Sequence, residues 1–196
     1  MRWSDRDNAA GDPQAASLAE RFHATRALTE ALVEPLSDAD ASLQSMPDAS
    51  PAKWHLAHTT WFWETFLLRD HVPDYRLHRE DWPFLFNSYY EAEGARIARA
   101  ARGMLSRPTL AEVLAWRACV TEAMAPLLED VALHPLIALG IAHEQQHIEL
   151  LITDIKHALF QNPLGPAMWP GESQGAAQTA GEPGWHDHPG GIALVG

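Results

Sequence analysis

The chain has 196 residues, 46% apolar side chains, one cysteine and a formal net charge of −12. This acidity disfavours a nucleic acid or an anionic membrane as partner, because both bind clustered lysine and arginine. One cysteine cannot form an internal disulfide, and no run approaches the roughly 20 apolar residues of a membrane span or the core of a signal peptide. We therefore expect a cytoplasmic protein, with Cys119 buried as a small apolar side chain.

Apolar side chains recur at helical spacing through most of the chain, and no alternating strand pattern precedes the last few residues. The first predicted helix follows Pro13 and ends at Pro35, with Leu28 on its apolar stripe. The second begins with Ser50 as N-cap and Pro51 as its first residue, and it runs to about residue 69. The sequence therefore predicts an all-α domain.

The remaining predicted helices follow a long aromatic connection. A short helix is expected over 91–101, a longer one from Arg107-Pro108-Thr109 to about residue 129, and the longest over 135–160. After residue 162 the composition changes to Pro, Gly, Gln and Ala, which is typical of a linker. We therefore predict a helical bundle over 12–162, followed over 163–196 by a Pro/Gly-rich tail: a linker and the first strand of an absent C-terminal domain.

Three histidines are candidate metal ligands. His143 and His147 are four residues apart in the longest helix, so they share one face. His58 shares a face of the second helix with aromatic residues, whereas His55 is rotated away and is expected behind the ligands or on the surface. Two ligands from one helix and a third from a facing helix make a metal site in a bundle core. Histidines bonded only to carbonyls or carboxylates remain an alternative.

Three neutral nitrogen ligands leave positions open on the ion, as catalysis requires, but they do not by themselves select Fe(II) over Zn, Ni or Co. The segment HEQQH also matches H-E-x-x-H, which would make Glu144 the general base of a zinc peptidase. A further carboxylate ligand would then have to come from the linker, as Glu172.

A basic segment, GARIARAARG, places Arg99 and Arg102 three residues apart, where both can point the same way on a helix. Such a pair can bind a substrate carboxylate through two guanidinium groups. A solvated helix face would have the same pattern.

Four segments resemble the ergothioneine-biosynthesis sulfoxide synthases, a family of non-haem iron enzymes. They are QSMPDASPAKWHLAHTTWFWETFLL, LFNSYYEAEGAR, RGMLSRPTLAEVLAWR and HEQQHIELLITDIKHALFQNP, within roughly residues 21–166. The resemblance implies a DinB-like four-helix bundle that holds Fe(II) through His58, His143 and His147. It also implies that iron joins the thiol of cysteine or γ-glutamylcysteine to trimethylhistidine (hercynine) with O2, which gives a sulfoxide.

The resemblance assigns two further roles. Gln146 is implied as a polar contact to trimethylhistidine, and Arg99 and Arg102 as the contacts to the carboxylate of the thiol substrate. Ile97 and Ala98 stand where the family commonly has His-Pro, so the choice of thiol is left open.

Members of the family continue into a C-terminal domain resembling the formylglycine-generating enzyme, which supplies a catalytic tyrosine. We therefore expect a shortened protein with impaired activity, unless a separately encoded domain completes it. Tyr89 and Tyr90 have no assigned role at this stage. Two alternatives stay open: a stand-alone DinB-like metal-dependent thiol S-transferase, and a non-catalytic bundle or subunit of a split enzyme.

Overall fold

The computed structural model describes residues 16–169 and 190–191. Within residues 16–169 the protein is built from helices and contains no strand, so the all-α prediction is confirmed. The α-helices are α1 (Leu18–Val33), α2 (Asp38–Ala41), α3 (Ala52–Trp63), α4 (Trp82–Phe86), α5 (Leu110–Ala123), α6 (Ala125–Leu128) and α7 (His134–Phe160). A π-helical segment (Glu64–Arg69) continues α3, and short 3-10 turns span Glu91–Glu93, Arg99–Met104 and Val131–Leu133.

The four long helices α1, α3, α5 and α7 form the bundle. Helix α3 is its centre, since it packs against the other three and all of its residues are buried. Helix α1 packs against α7 on one side, and α5 packs against α3 on the other. The buried core contains several large aromatic side chains: Phe22, Trp54, Trp61, Trp63 and Trp116. Helices α3 and α7, which carry the three candidate histidine ligands, are therefore in direct contact along the bundle.

Side-chain caps fix the starts of two long helices. Ser17 and Glu20 form a reciprocal capping box at the start of α1, and Thr109 and Glu112 form another at the start of α5. Each box satisfies two backbone N–H groups that the first helical turn leaves unpaired. Helix α1 begins at Leu18, and Pro13, after which its start was predicted, lies outside the described residues.

Several predicted boundaries differ from the observed ones. Pro51 is the N-cap of α3 rather than its first residue. The helix predicted to run to residue 129 breaks at Met124, and α6 then starts with Pro126 in its first turn. Pro126 has no N–H to continue the α5 ladder. The prediction of a short helix over 91–101 is wrong. These residues form one 3-10 turn and the start of a second, with non-helical backbone between the two.

Two predictions of burial are also wrong. Cys119 is exposed on α5, and Leu28 is exposed on α1. On α7 the fully packed face consists of Ile137, Gly140, Ile141, Glu144, Ile148, Leu151, Ile155 and Ala158. The histidines lie beside this face and are partly buried.

The predicted domain boundary near residue 162 lies just beyond the end of α7 at Phe160. Most of the predicted linker (170–189) and the predicted strand (192–196) lie outside the described residues. Among the described helices, none combines the length and apolar character needed to cross a membrane.

Candidate metal centre

His58 of α3 and His143 and His147 of α7 come together at one point of the α3–α7 contact. Their ring centroids lie 5.0 Å (His58 to His143), 4.6 Å (His58 to His147) and 4.7 Å (His143 to His147) apart. One ring nitrogen from each residue lies within 4.8 Å of the others. This is a group of donors that can hold a single metal ion.

Hydrogen bonds decide which nitrogens are free to bind a metal. The Nδ1 of His58 donates to the carbonyl oxygen of Phe86 at 2.6 Å, so its Nε2 carries the free lone pair. The Nδ1 of His147 lies 2.9 Å from the Nδ1 of His55. The Nδ1 of His143 is buried and has no hydrogen-bond partner among the described residues. A buried polar atom without a partner is costly, and coordination through this Nδ1 would remove that cost. The donor set therefore fits a divalent transition metal.

The three imidazoles are neutral at pH 7. Burial lowers the pKa of His143 to about 4. Burial, reinforced by the neighbouring histidines, lowers the pKa of His58 and of His147 well below the usual value. Neutral imidazole is the form that ligates a metal, so the site needs no proton release from these rings near neutral pH.

The sequence left two positions open for His55, behind the ligands or on the surface. In the structure it is only 2% exposed and lies directly behind His147. Its Nε2 lies 3.0 Å from the Oδ2 of Asp154. Sequence reasoning missed Asp154, although it follows His147 by seven residues, the spacing that places two side chains on one face of a helix.

Glu144 points away from the histidines into the core, where its carboxylate is fully buried. It accepts hydrogen bonds from Arg26 (3.2 Å), Thr29 (2.8 Å), the Trp63 indole (2.8 Å) and Arg117. Burial alone would raise the pKa of Glu144, but the charges of Arg26 and Arg117 outweigh it and lower the pKa to about 2. A carboxylate held this way cannot act as the general base that the H-E-x-x-H pattern suggested.

A cavity of about 240 Å³ opens beside the three histidines. Arg99 and Arg102 both line it, although their segment is a 3-10 turn rather than the predicted α-helix. Ser88, Tyr89, Tyr90 and Gln146 also line it. The two tyrosines could not be placed here from the sequence, because their position depends on how the connection between α4 and α5 folds back over the bundle.

Arg102 is built into the wall of this cavity. It is 4% exposed, its guanidinium carbon lies 3.4 Å from the centre of a Trp54 ring, and it donates to the hydroxyls of Ser50 (2.9 Å) and Ser88 (3.1 Å). Burial lowers the pKa of Arg102 to about 10, which leaves it charged at pH 7. Arg99 is exposed at the rim, where it donates to the hydroxyl of Tyr89 at 3.1 Å. The cavity therefore carries two positive charges next to the histidines.

A second, apolar cavity of about 630 Å³ adjoins the first. The two share Tyr90, His143 and Gln146 as lining residues. The rest of its lining is aromatic and aliphatic: Phe62, Phe66, Leu136, Leu139 and Ala142. A charged cavity and an apolar cavity thus meet at His143 and Gln146.

A family model described as the DinB superfamily matches residues 21–151, more than half of the chain and a span that includes all three histidines. No curated protein sequence matches the chain.

Proposed function

The chain belongs to the DinB superfamily, and we propose that it is the metal-binding domain of an Fe(II)-dependent sulfoxide synthase acting on trimethylhistidine and a cysteine-type thiol. His58, His143 and His147 would hold the iron. The observation that carries this proposal is the three-histidine cluster at the junction of a cationic and an apolar cavity.

The balance of the proposed reaction sets what the site must provide. The thiol and the imidazole C–H each give up one hydrogen, a C–S bond forms, and O2 is reduced to the sulfoxide oxygen and one water. When bound, Fe(II) supplies the O2 chemistry, and three protein ligands leave it open positions for small molecules. The chain's own residues must bind and orient the two organic substrates.

The cationic cavity suits the thiol substrate. Cysteine and γ-glutamylcysteine both carry carboxylates, which match the forked donors of arginine. Arg102 is already oriented by Trp54 and two serine hydroxyls, so little side-chain entropy would be lost on binding. Arg99 lies at the rim and can contribute a second contact.

The apolar cavity suits trimethylhistidine. Its quaternary ammonium has no hydrogen to donate, and aromatic faces such as those of Phe62, Phe66 and Tyr90 attract such a cation. Gln146 lines both cavities and can supply a polar contact to the imidazole of this substrate. The family resemblance also implies a catalytic tyrosine, which would come from a further domain.

A second function is favoured by the cationic cavity alone. A DinB-like thiol S-transferase would also need a metal to bind a thiolate and arginines to bind its carboxylate. It would consume no O2 and would have no need of the apolar cavity beside His143.

The first test is anaerobic Fe(II) titration of the protein, with His58→Ala as the ligand variant and His71→Ala, an exposed histidine, as the matched control. We expect one equivalent of iron in the wild type and in His71→Ala, and loss of tight binding in His58→Ala with helicity retained. Equal iron content in all three proteins would contradict the ligand assignment.

The second test adds trimethylhistidine with cysteine or γ-glutamylcysteine and measures O2 uptake and product mass. Arg102→Leu should weaken thiol binding, whereas Arg76→Leu, exposed and outside the cavity, should not. Sulfoxide product supports the proposal, and thiol transfer without O2 uptake supports the transferase instead. Iron binding with no turnover would mean that turnover requires the catalytic tyrosine that the family resemblance implies.

A further inference from the structure

We propose that Asp154 and His55 are positioning residues that fix the tautomer and orientation of His147, through the hydrogen-bonded series Asp154, His55, His147. This role rests on the metal binding at His147 proposed above. Neither Asp154 nor His55 would touch the metal or a substrate. Their effect would be to aim the Nε2 lone pair of His147 at the ion.

The three residues of this series lie on two helices, with Asp154 and His147 on α7 and His55 on α3. Asp154 and His147 lie on the same face of α7, two turns apart, and His55 inserts between them from α3. The contacts are 3.0 Å from the Oδ2 of Asp154 to the Nε2 of His55, and 2.9 Å from the Nδ1 of His55 to the Nδ1 of His147. The same carboxylate oxygen accepts the backbone N–H of Ser50 at 2.9 Å, so Asp154 is itself held in place.

The chemistry of the groups sets the direction of each hydrogen bond. Partial burial by itself would raise the pKa of Asp154, but hydrogen bonds from the ring of His55 and the N–H of Ser50 outweigh it and hold this pKa below its usual value, so at pH 7 the carboxylate is an acceptor only. The Nε2 of His55 must therefore carry the proton. An imidazole that ligates a metal through one nitrogen carries its proton on the other. The Nδ1 of His147 contacts His55, so this atom carries the proton and donates to the Nδ1 of His55. The lone pair of His147 is then on Nε2.

The other two ligands have different support. His58 donates to the carbonyl oxygen of Phe86, and the Nδ1 of His143 has no partner among the described residues. Among the three candidate ligands in the described residues, only His147 is connected by hydrogen bonds, through His55, to a carboxylate. A carboxylate behind a ligating imidazole fixes its ring and raises its basicity, and loss of such a partner typically costs 10- to 100-fold in metal affinity. His147 is therefore the ligand whose ring orientation and tautomer are held most strongly by residues behind it.

The experiment uses metal-free and metal-loaded protein, four test variants, and His147→Gln to assign the ring signals. Asp154→Ala removes the carboxylate, and His55→Leu removes both ring nitrogens. His55→Asn keeps an amide oxygen near the position of Nδ1 and is the rescue variant. Glu149→Ala removes an exposed carboxylate from the same helix and is the matched control.

Nitrogen-15 spectra of the histidine rings in metal-free protein report the tautomer directly. We expect His147, assigned by the loss of its signals in His147→Gln, to be protonated on Nδ1 in the wild type and in Glu149→Ala. In His55→Leu we expect it to shift toward the Nε2-protonated form. A merely structural role for His55 would leave this tautomer unchanged.

Metal affinity, measured by competition with a chromophoric chelator for Fe(II) and Co(II), is the second readout. Asp154→Ala and His55→Leu should bind about 10- to 100-fold more weakly, while His55→Asn should recover most of the loss. Wild-type affinity in Asp154→Ala and His55→Leu, or an Nε2-protonated His147 in the wild type, overturns the positioning role and leaves the metal site standing. Failure of the wild type to bind either metal overturns both.

Discussion

Replacing Glu144 with glutamine is predicted to lower the stability of the protein while leaving metal binding in place. The variant keeps the size of the side chain but removes the charge that faces Arg26 and Arg117. It also presents an NH2 group to donors that need an acceptor. The expected result is a folded but weakened bundle whose three histidines still meet.

The magnitude follows from the pKa of the buried carboxyl. Its folded-state pKa of about 2, against an ordinary value of 4.5, corresponds to about 3 kcal/mol of stability at pH 7. Removing one partner of a buried ion pair costs about 3 to 5 kcal/mol in other proteins, which agrees with this figure. Because the folded pKa is lowered, the contribution is complete above the unfolded pKa of 4.5 and is lost as the pH falls toward about 2.

The assay is urea denaturation of the wild type, Glu144→Gln and Glu149→Gln at pH 7 and at pH 3. Glu149 is exposed on the same helix and serves as the control. The difference between the wild type and Glu144→Gln should be about 3 kcal/mol at pH 7 and about half of that or less at pH 3. A Glu144→Gln variant as stable as the wild type at pH 7 would refute this reasoning, and so would a difference that grows in acid. Loss of metal binding with the fold intact would restore a role for Glu144 at the metal.

Three further predictions test other parts of the structure. Gly140→Ala should destabilise the protein by about 1 to 3 kcal/mol in urea denaturation, because the new Cβ would lie 2.5 Å from the ring of Trp63; an unchanged midpoint would contradict the close helix contact. The metal-free protein should lose stability as the pH falls from about 6.5 toward about 4, because the unfolded chain takes up the proton that burial denies to His143; His143→Gln should flatten that dependence. Cys119 should react with a thiol-specific chromophore in the native state at nearly the rate of the denatured chain, whereas a buried thiol would react only on unfolding.

Much of the fold follows from local rules that the sequence carries. The 3.6-residue spacing of apolar side chains predicts the long helices, and α7 was expected over 135–160 and is observed over His134–Phe160. Placing His143 and His147 on one face needs only their separation of four residues. The pairing of these two with His58 also followed from the sequence, because a metal site in a bundle core draws ligands from facing helices.

The rotation of α7 about its own axis could not be predicted in this way. The helix has two neighbouring apolar stripes, one through Leu139 and His143 and one through Ile141 and Ile148. Packing buries the second stripe, and Leu139 is exposed. The deciding contact is Gly140 against Trp63, which lets the two helices approach closely.

The sequence by itself determined the long helices, the shared face of two histidines and the arginine pair, because each depends on residues a few positions apart. Tertiary structure decided that Glu144 is a core ion-pair partner rather than a base, and that His55 and Asp154 stand behind His147. It also decided that Tyr89 lines the cavity beside the metal centre. These roles depend on which side of a helix meets its neighbour. That choice is made by the packing of the whole bundle. The Trp63 indole fits only against Gly140, and the buried Glu144 carboxylate needs the arginines of two other helices as partners.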